Sequence, residues 1–180
     1  MKQNKLEIAH EIMMVMDEIE YGFPDDKGNN IMITDFERWD NSFCDFYFLQ
    51  SPEELQMSKL GVCWDQVELE RRLFQSRGIE TESYFICAYN GEEKPSHTIL
   101  VFKFGENFYW FEHSWGDYKG IHKYSNKSEL ISDVVDKFME SNNITQDGIT
   151  KVVKYSQPKN HIKCEEFYEF CGEFRTIFFK

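Results

Sequence analysis

The stretch Leu60-Gly61-Val62-Cys63-Trp64-Asp65-Gln66 decides the fold, because it leads from a loop into a helix and places a cysteine at the junction. On the helix that follows, Cys63, Val67 and Phe74 share one apolar face, so the helix is predicted to be largely buried. The first amide groups of a helix lack intrahelical partners and carry the positive end of its dipole. A thiolate there is stabilised, and such sites lower a thiol pKa from about 8.5 to roughly 3.5–7.5.

We therefore interpret Cys63 as a nucleophile, although a buried cysteine more commonly serves as a small core residue. Two later segments favour the catalytic interpretation. Ser96-His97-Thr98-Ile99 opens a predicted strand, and Trp110-Phe111-Glu112-His113-Ser114-Trp115 closes the next one. A cysteine, a histidine and a carboxylate thus follow one another along the chain, the set that nucleophilic catalysis requires.

The turn between these two strands sets their register. Gly105-Glu106 is predicted as a two-residue hairpin turn, since glycine at the first central position permits a positive φ. Pairing of the residues on either side of that turn would put His97 and Glu112 diagonally on one face, with Cβ atoms about 7 Å apart. His113 would then point the other way. We expect the face carrying His97 and Glu112 to meet the start of the Cys63 helix.

Composition limits the class of protein. The chain has 180 residues, of which 41% are hydrophobic and 17% aromatic, so we expect one domain over residues 1–180. A formal net charge of −12 disfavours nucleic acid and anionic lipid as partners, since both require basic patches. No apolar run is long enough to span a membrane, and acidic residues near the start exclude a signal-peptide core. Five irregularly spaced cysteines are unlike a secreted disulfide framework, so the cytoplasm is the expected compartment.

The remaining pattern predicts an α+β fold. An amphipathic N-terminal helix is expected over 5–19, and Ser51-Pro52 caps a short helix that leads toward Gly61. Two short aromatic-rich stretches, 31–33 and 43–48, carry no clear pattern. The polar stretch 90–96 is expected to turn the chain between strands. Strands are predicted over 83–89, 97–104, 108–114 and 151–155, with helices beginning after Ser128 and spanning 161–171.

Taken together, Gly61-Val62-Cys63-Trp64, Ser96-His97-Thr98 and Trp110-Phe111-Glu112-His113-Ser114-Trp115 resemble the transglutaminase-like branch of the papain-like cysteine enzyme superfamily. The resemblance covers residues 60–115, and elements 121–180 lie outside it. It implies a papain-like α+β core in which the helix bearing the cysteine packs on an antiparallel sheet bearing histidine and glutamate. It also implies acyl transfer through a thioester, as peptide hydrolysis, glutamine deamidation or crosslinking to amines.

Site roles follow from this resemblance position by position. Cys63 is the expected nucleophile, His97 the base and Glu112 the residue that orients the imidazole, although aspartate is more usual in the third position. The Cys63 amide and the Gln56 side chain are expected to form the oxyanion hole. The tryptophans of these motifs are candidate walls of an acyl-binding cleft, with simple core packing as the alternative: Trp64, Trp110 and Trp115.

Other interpretations compete with this one. A non-catalytic papain-like module would bind a peptide or protein partner in the same cleft, and a coenzyme A-dependent arylamine transferase would use the same three residue types. The latter lacks an evident basic site for the cofactor phosphates. His161, Cys164 and Cys171 lack a fourth ligand at zinc spacing, so neither a metal nor a cofactor is predicted. Glu70 falls on the apolar side of the Cys63 helix, about 10 Å along its axis, and is expected to be a satisfied structural carboxylate. A protein or peptide substrate is expected, and the oligomeric state is left open.

Overall fold

One antiparallel sheet with helices against both faces organises the chain. A computed structural model describes residues 4–89, 94–144 and 149–179. Within them the helices are α1 (Lys5–Met16), α2 (Phe36–Phe46), α3 (Pro52–Ser58), α4 (Cys63–Ser76), α5 (Lys127–Ser141) and α6 (Cys164–Gly172). The strands are β1 (Gly22–Pro24), β2 (Asn30–Met32), β3 (Thr81–Tyr89), β4 (Ser96–Phe104), β5 (Asn107–Glu112), β6 (Gly120–Tyr124), β7 (Ile149–Tyr155) and β8 (Thr176–Phe179).

The main sheet has the strand order β6-β5-β4-β3-β7-β8, and every neighbouring pair is antiparallel. β1 and β2 form a separate hairpin. Gly105 has a φ of +61° and turns the chain with Glu106, so that Phe104 pairs with Asn107. The predicted turn and its register are therefore confirmed, and the mixed α+β class is confirmed with them.

The two faces of this sheet bury different helices. Side chains alternate along a strand, and Leu100, Phe102 and Phe111 pack in the cluster that contains the apolar face of α4. Ile99, Val101 and Trp110 belong to a second cluster with the buried side of α5. Central strands are consequently apolar on both faces, which explains the continuous hydrophobic runs in their sequence.

Several predicted boundaries differ from the observed ones. The N-terminal helix ends at Met16 rather than at residue 19, and the last helix begins at Cys164 rather than at residue 161. Asn126, not Ser128, caps α5, since its side chain accepts the amide hydrogen of Glu129 at 2.9 Å. The two unassigned aromatic stretches belong to β2 and α2, and residues 90–93 of the expected turn lie outside the described residues. Across the described ranges, no helix combines the length and apolar character needed to cross a membrane.

Packing around α4 yields a test of the core. Phe167 of α6 is fully buried and stacks on Trp64, with ring centroids 4.1 Å apart. Phe167→Ala should lower the free energy of unfolding by about 3–5 kcal/mol, because it removes this contact and leaves a cavity. The exposed Phe36 is the matched control, and Phe36→Ala should change the free energy of unfolding by less than about 0.5 kcal/mol. Urea denaturation measures both, and equal losses would contradict this description of the core.

Candidate active site

The loop before α4 is held by a buried acid that sequence reasoning missed. Asp65 accepts hydrogen bonds from the amide groups of Val62 and Gln50, each at 2.8 Å, and from the Tyr47 hydroxyl at 3.1 Å. Burial raises the pKa of Asp65 to about 7, against the effect of these donors. The three contacts hold the segment around Gln50 and the residue before Cys63 against the first turn of the helix, which begins at Cys63.

Gly61 lets another segment approach this loop. A Cβ atom at Gly61 would lie 2.5 Å from Leu55 Cδ1 and 3.0 Å from Asp65 Cβ, so a larger residue does not fit. The Gly61 amide donates to the Glu20 carbonyl at 3.0 Å, and the Glu20 amide donates to the Lys59 carbonyl at 2.8 Å. This short parallel bridge places Tyr21, the next residue, beside Cys63.

Glu112 lies at the end of β5 and is satisfied from several directions. Its Oε2 atom is 2.9 Å from His97 Nε2 and accepts the Trp110 indole N–H at 3.1 Å. Its Oε1 atom accepts the Ser114 hydroxyl at 3.0 Å and the Trp115 amide at 2.8 Å. These bonds to residues just ahead bend the chain, which is why the strand ends at Glu112 and not at Ser114 as predicted.

Cys63 and His97 form the other half of the arrangement. The two side chains are near enough to shift each other's pKa, and because His97 Nε2 faces Glu112, the other ring nitrogen, Nδ1, is the one available to the sulfur. Burial alone would lower the pKa of His97, but the Glu112 carboxylate and the bond to Cys63 raise it to about 10. Burial alone would raise the pKa of Cys63, but the bond to His97 and its positive charge lower it. Both shifts favour a thiolate beside an imidazolium in the resting pair.

The three residues meet at an open end of the sheet, and the expected face was wrong. His97 pairs with Ile86 and alternates with Ile99, so it belongs to the face that packs against α5. The β4–β5 ladder ends at Leu100 and Phe111, before His97 is reached. The backbone N–H of Thr98 also lowers the pKa of Cys63, so the sulfur lies near the sheet where β4 and β5 have separated.

Tyr21 completes the surroundings of the sulfur. Its hydroxyl lies near enough to lower the pKa of the Cys63 thiol, and the backbone N–H of Cys63 acts in turn on the pKa of the phenol. Burial and the neighbouring Cys63 raise the pKa of Tyr21 well above its usual value, so the phenol stays protonated. An oxygen near the Cys63 amide and beside the sulfur occupies the place expected of an oxyanion. No sequence pattern singles out Tyr21, because its position depends on the bridge to the Gly61 loop.

Gln56, predicted as an oxyanion donor, is not brought to the sulfur. Its side chain is exposed on α3, and it lines neither of the cavities beside the three residues. Leu55, the preceding residue, is fully buried, and a helix turns about 100° per residue, so Gln56 points outward. Tyr21 stands where that prediction placed Gln56.

The three tryptophans occupy different places. Trp110 is fully buried, and its indole holds Glu112, so it is not a cleft wall as predicted. Trp64 borders the cavity beside Cys63 but is 1% exposed and packs on Phe167. Trp115 lines the cavity beside His97, with ring centroids 5.0 Å apart, as a cleft wall should. Core packing thus accounts for Trp64 and Trp110.

A cleft runs across the site in two parts. The cavity of about 630 Å³ contains His97 and Trp115, and the cavity of about 800 Å³ contains Cys63. Both are lined by Tyr21 and Ser96, so the Tyr21 ring lies between them. Aromatic side chains dominate the Cys63 side, with carboxylates among them: Phe36, Trp39, Phe43, Tyr89, Tyr168, Asp40, Glu165 and Glu169.

His113 braces the same corner from the opposite face, as predicted from the register. Its Nδ1–H donates to Gln66 Oε1 at 2.6 Å, and Gln66 Nε2 donates to the Gly61 carbonyl at 3.0 Å. Burial and the nearby Lys119 ammonium lower the pKa of His113, so its ring is neutral at pH 7. It joins the strand end to the Cys63 loop and does not act on the sulfur. Gln66 lies one helical turn after Cys63, a spacing that indicates proximity but not this partner.

Glu70 is buried, as expected, but it is not a satisfied carboxylate. Its Oε2 atom has no hydrogen-bond partner within the described part of the chain. Burial and the nearby Glu112 raise the pKa of Glu70 well above its usual range. A neutral acid at Glu70 leaves Glu112 as the anion that faces His97.

The residues considered as zinc ligands contact different partners. His161 is exposed and lies 2.9 Å from Glu54, and Cys164 lies 2.8 Å from Cys44. Among the residues that the structure describes, no group of three or more histidine, cysteine or acidic side chains is arranged to hold a metal ion.

The geometry predicts selective reactivity. Of the five free cysteines, Cys63 should react fastest with iodoacetamide at pH 6, where an ordinary thiol of pKa 8.5 is only about 0.3% ionised. Because its pKa is lowered, its rate should stay high as the pH falls toward that lowered value. Peptide mapping by mass spectrometry measures the labelling of each cysteine. Faster labelling of Cys44 would contradict the assignment.

Two variants refine that experiment. His97→Ala should slow Cys63 labelling at pH 6 by roughly 10- to 100-fold, since the imidazolium no longer stabilises the thiolate. Tyr21→Phe should move the inflection of the rate profile to higher pH, because the thiolate loses one donor. An unchanged profile would show that the Tyr21 hydroxyl does not reach the sulfur.

Comparisons with known proteins do not add a family to this geometry. Neither the models of known protein families nor the curated proteins give a match to this chain. The chemical assignment therefore depends on the contacts among Cys63, His97 and Glu112, together with Tyr21.

Proposed function

We propose that this chain is a cysteine-dependent acyl-transfer enzyme that acts on peptide or glutamine-type amides through a thioester. One observation carries the proposal: Cys63, at the N-terminus of a buried helix, and His97 each shift the pKa of the other, and His97 Nε2 lies 2.9 Å from Glu112 Oε2. The resemblance to transglutaminase-like enzymes of papain-like fold points to the same three residues in the same roles.

Acylation would begin with attack by the Cys63 thiolate on the carbonyl carbon of a bound amide. The carbonyl oxygen then gains negative charge, and the Cys63 amide can donate to it. As the C–N bond breaks, the His97 Nδ1 proton passes to the departing nitrogen, releasing ammonia or an amine. The product of this step is a thioester on Cys63.

The Tyr21 hydroxyl has to yield its place during this step. It lies near the Cys63 N–H in the resting structure, so the substrate oxygen would replace it there. The displaced hydroxyl remains a donor close to the new oxyanion. The second donor of the oxyanion hole is thus assigned to Tyr21 in place of Gln56.

Deacylation would use the same groups in reverse. Neutral His97 accepts a proton from water or from an amine as that nucleophile attacks the thioester, and the Cys63 thiolate leaves. Glu112 keeps the imidazole in the orientation that points Nδ1 at the sulfur and stabilises its positive charge. No step requires a metal or a cofactor. Water as acceptor gives hydrolysis or deamidation, and an amine gives a crosslink.

The cleft favours a protein or peptide substrate. Its walls on the Cys63 side combine aromatic side chains with carboxylates, and its two cavities have volumes of about 630 and 800 Å³. Five free thiols are compatible with a reducing compartment, and we propose the cytoplasm.

A binding module is the second candidate, and one observation favours it. Cys63 is only 4% exposed, and Tyr21 covers it in the resting structure. A module that only binds a partner in this cleft would keep that cover in place. Failure of Cys63 to react with iodoacetamide would therefore favour the binding module.

Mass spectrometry of the intact protein tests the enzymatic proposal. Incubation with a glutamine-containing peptide and an acid quench should leave a mass increase on Cys63 equal to the acyl group. Added amine should divert the peptide product from the glutamate form to the amide adduct if amines are acceptors. Cys63→Ala is the control and should form neither the adduct nor the products. A reactive Cys63 that never acquires an acyl group from such peptides would exclude this substrate class.

Glu112 should matter more than the nearby Asp117. Glu112→Gln should keep the fold but lower turnover by roughly 10²- to 10⁴-fold, because the amide neither stabilises the imidazolium nor fixes its tautomer. Asp117 is exposed in the short 3-10 helix 116–118, so Asp117→Asn is a matched control with little expected effect. Steady-state kinetics on the same peptide measures both.

Non-additivity gives an independent test of that role. Adding Glu112→Gln to Cys63→Ala should lower any residual rate little further, since the residues act as a unit. Equal turnover in the parent and in Glu112→Gln would reject Glu112 as the third member.

A further inference from the structure

Two thiols face each other on opposite walls of the Cys63 cavity. Cys44 lies in α2 and Cys164 is the first residue of α6, and their sulfur atoms are 2.8 Å apart. A disulfide has a sulfur separation of about 2.05 Å, so the two atoms need to approach by only about 0.8 Å. We propose that Cys44 and Cys164 are a modification site that forms a reversible disulfide and ties α2 to α6 across the cleft.

Packing holds the two thiols in this arrangement. Phe43, beside Cys44, and Tyr168, one helical turn after Cys164, both contact the Trp64 ring with centroids 5.6 Å apart in each case. The helices therefore meet over one buried side chain of α4. This common support fixes both sulfur positions before any bond forms, so that little ordering is required on oxidation.

The different exposure of the two thiols determines which of them reacts first. Cys44 is exposed and Cys164 is 2% exposed, so a low-molecular-weight disulfide such as oxidised glutathione meets Cys44 first. The Cys44 thiolate attacks one glutathione sulfur, the glutathione disulfide breaks, and one glutathione thiolate leaves. Cys164 then loses its proton and attacks the Cys44 sulfur, which releases the second glutathione thiolate. Two cysteine thiols lose two electrons and two protons, and one oxidised glutathione becomes two reduced molecules.

The bond would join the two walls of the cleft beside the nucleophile. α2 contributes Trp39, Asp40 and Phe43 to the Cys63 cavity, and α6 contributes Glu165, Tyr168 and Glu169. No side chain of α2 is fully buried, so this helix is held to the rest of the protein by partial contacts. Oxidation would limit how far α2 moves away from α6 and would fix the width of the cleft.

Disulfide mapping tests the proposal without reference to any enzyme activity. The protein carrying Cys63→Ser is equilibrated with oxidised and reduced glutathione at several ratios, trapped with N-ethylmaleimide and analysed by intact mass and peptide mapping. The expected oxidised product has lost two hydrogen atoms and contains a Cys44–Cys164 peptide pair. Adding Cys44→Ser, at an exposed position, should abolish that product, whereas Cys87→Ala, at a buried thiol on β3, should leave it unchanged.

Thermal unfolding supplies the second readout. A bond between residues 120 positions apart should raise Tm by about 5 °C or more in the oxidised protein, and Cys44→Ser should remove that rise. A mixed disulfide of Cys44 with glutathione in which Cys164 stays reduced would overturn the proposal, as would a crosslink between two chains. An unchanged Tm after complete bond formation would refute the tie between α2 and α6. Failure of the proposed enzyme function would alter none of these results.

Discussion

The buried Glu112 carboxylate is the constraint on which the rest of the site depends, because an uncompensated charge in a protein interior is strongly unfavourable. Glu112 is 2% exposed, and its two oxygens accept four hydrogen bonds. Satisfying it ends β5, bends the chain through Ser114 and Trp115, and turns the Trp110 indole toward the carboxylate. The remaining negative charge is what stabilises the His97 imidazolium, and the imidazolium in turn stabilises the Cys63 thiolate.

A second buried acid, Asp65, holds the Cys63 loop as Glu112 holds His97. Asp65 accepts bonds from Tyr47 and Gln50 and from Val62, and Gly61 lies close against Leu55 and Asp65. The helix and the strand end are therefore braced separately, and Gln66 and His113 join them. If Cys63 and His97 act as proposed, groups held in this way would need little reorganisation when charge develops, which is the main source of electrostatic rate enhancement.

What could be predicted from the sequence depends on how local the determining interactions are. The Gly105 turn and the alternation of the strands specify the register that brings His97 to Glu112, and the start of α4 is visible in the apolar spacing after Cys63. α2 was missed because its aromatic residues are only partly buried and pack on distant elements. The face of His97 was wrongly predicted because local patterns do not show where a ladder between strands ends.

Donors to an oxyanion are still harder to predict from the sequence, because residues close in sequence need not be close in space. Gln56 precedes Cys63 by one short helix yet faces outward, whereas Tyr21 arrives through the bridge between Glu20 and the Gly61 loop. The two hydrogen bonds of that bridge join backbone groups, which any residue type carries, so the amino-acid sequence does not reveal them. The proximity of Cys63, His97 and Glu112 was predictable from residue type and order, but that of Tyr21 was not.

The proximity of Tyr21 to Cys63 also bears on how the proposed site would stabilise a transition state. An unused N–H at the helix start and a buried thiolate would each be costly without a partner, and one hydroxyl lies near both. That hydroxyl is a neutral acceptor, whereas the oxygen of a tetrahedral intermediate is charged and accepts a stronger hydrogen bond. In the proposed reaction, replacing the hydroxyl by the charged oxygen would therefore favour the transition state. The ground-state carbonyl would gain little, because it differs little from the hydroxyl as an acceptor. Stabilisation that appears only as charge develops raises the rate of the chemical step, and not merely the affinity for the substrate.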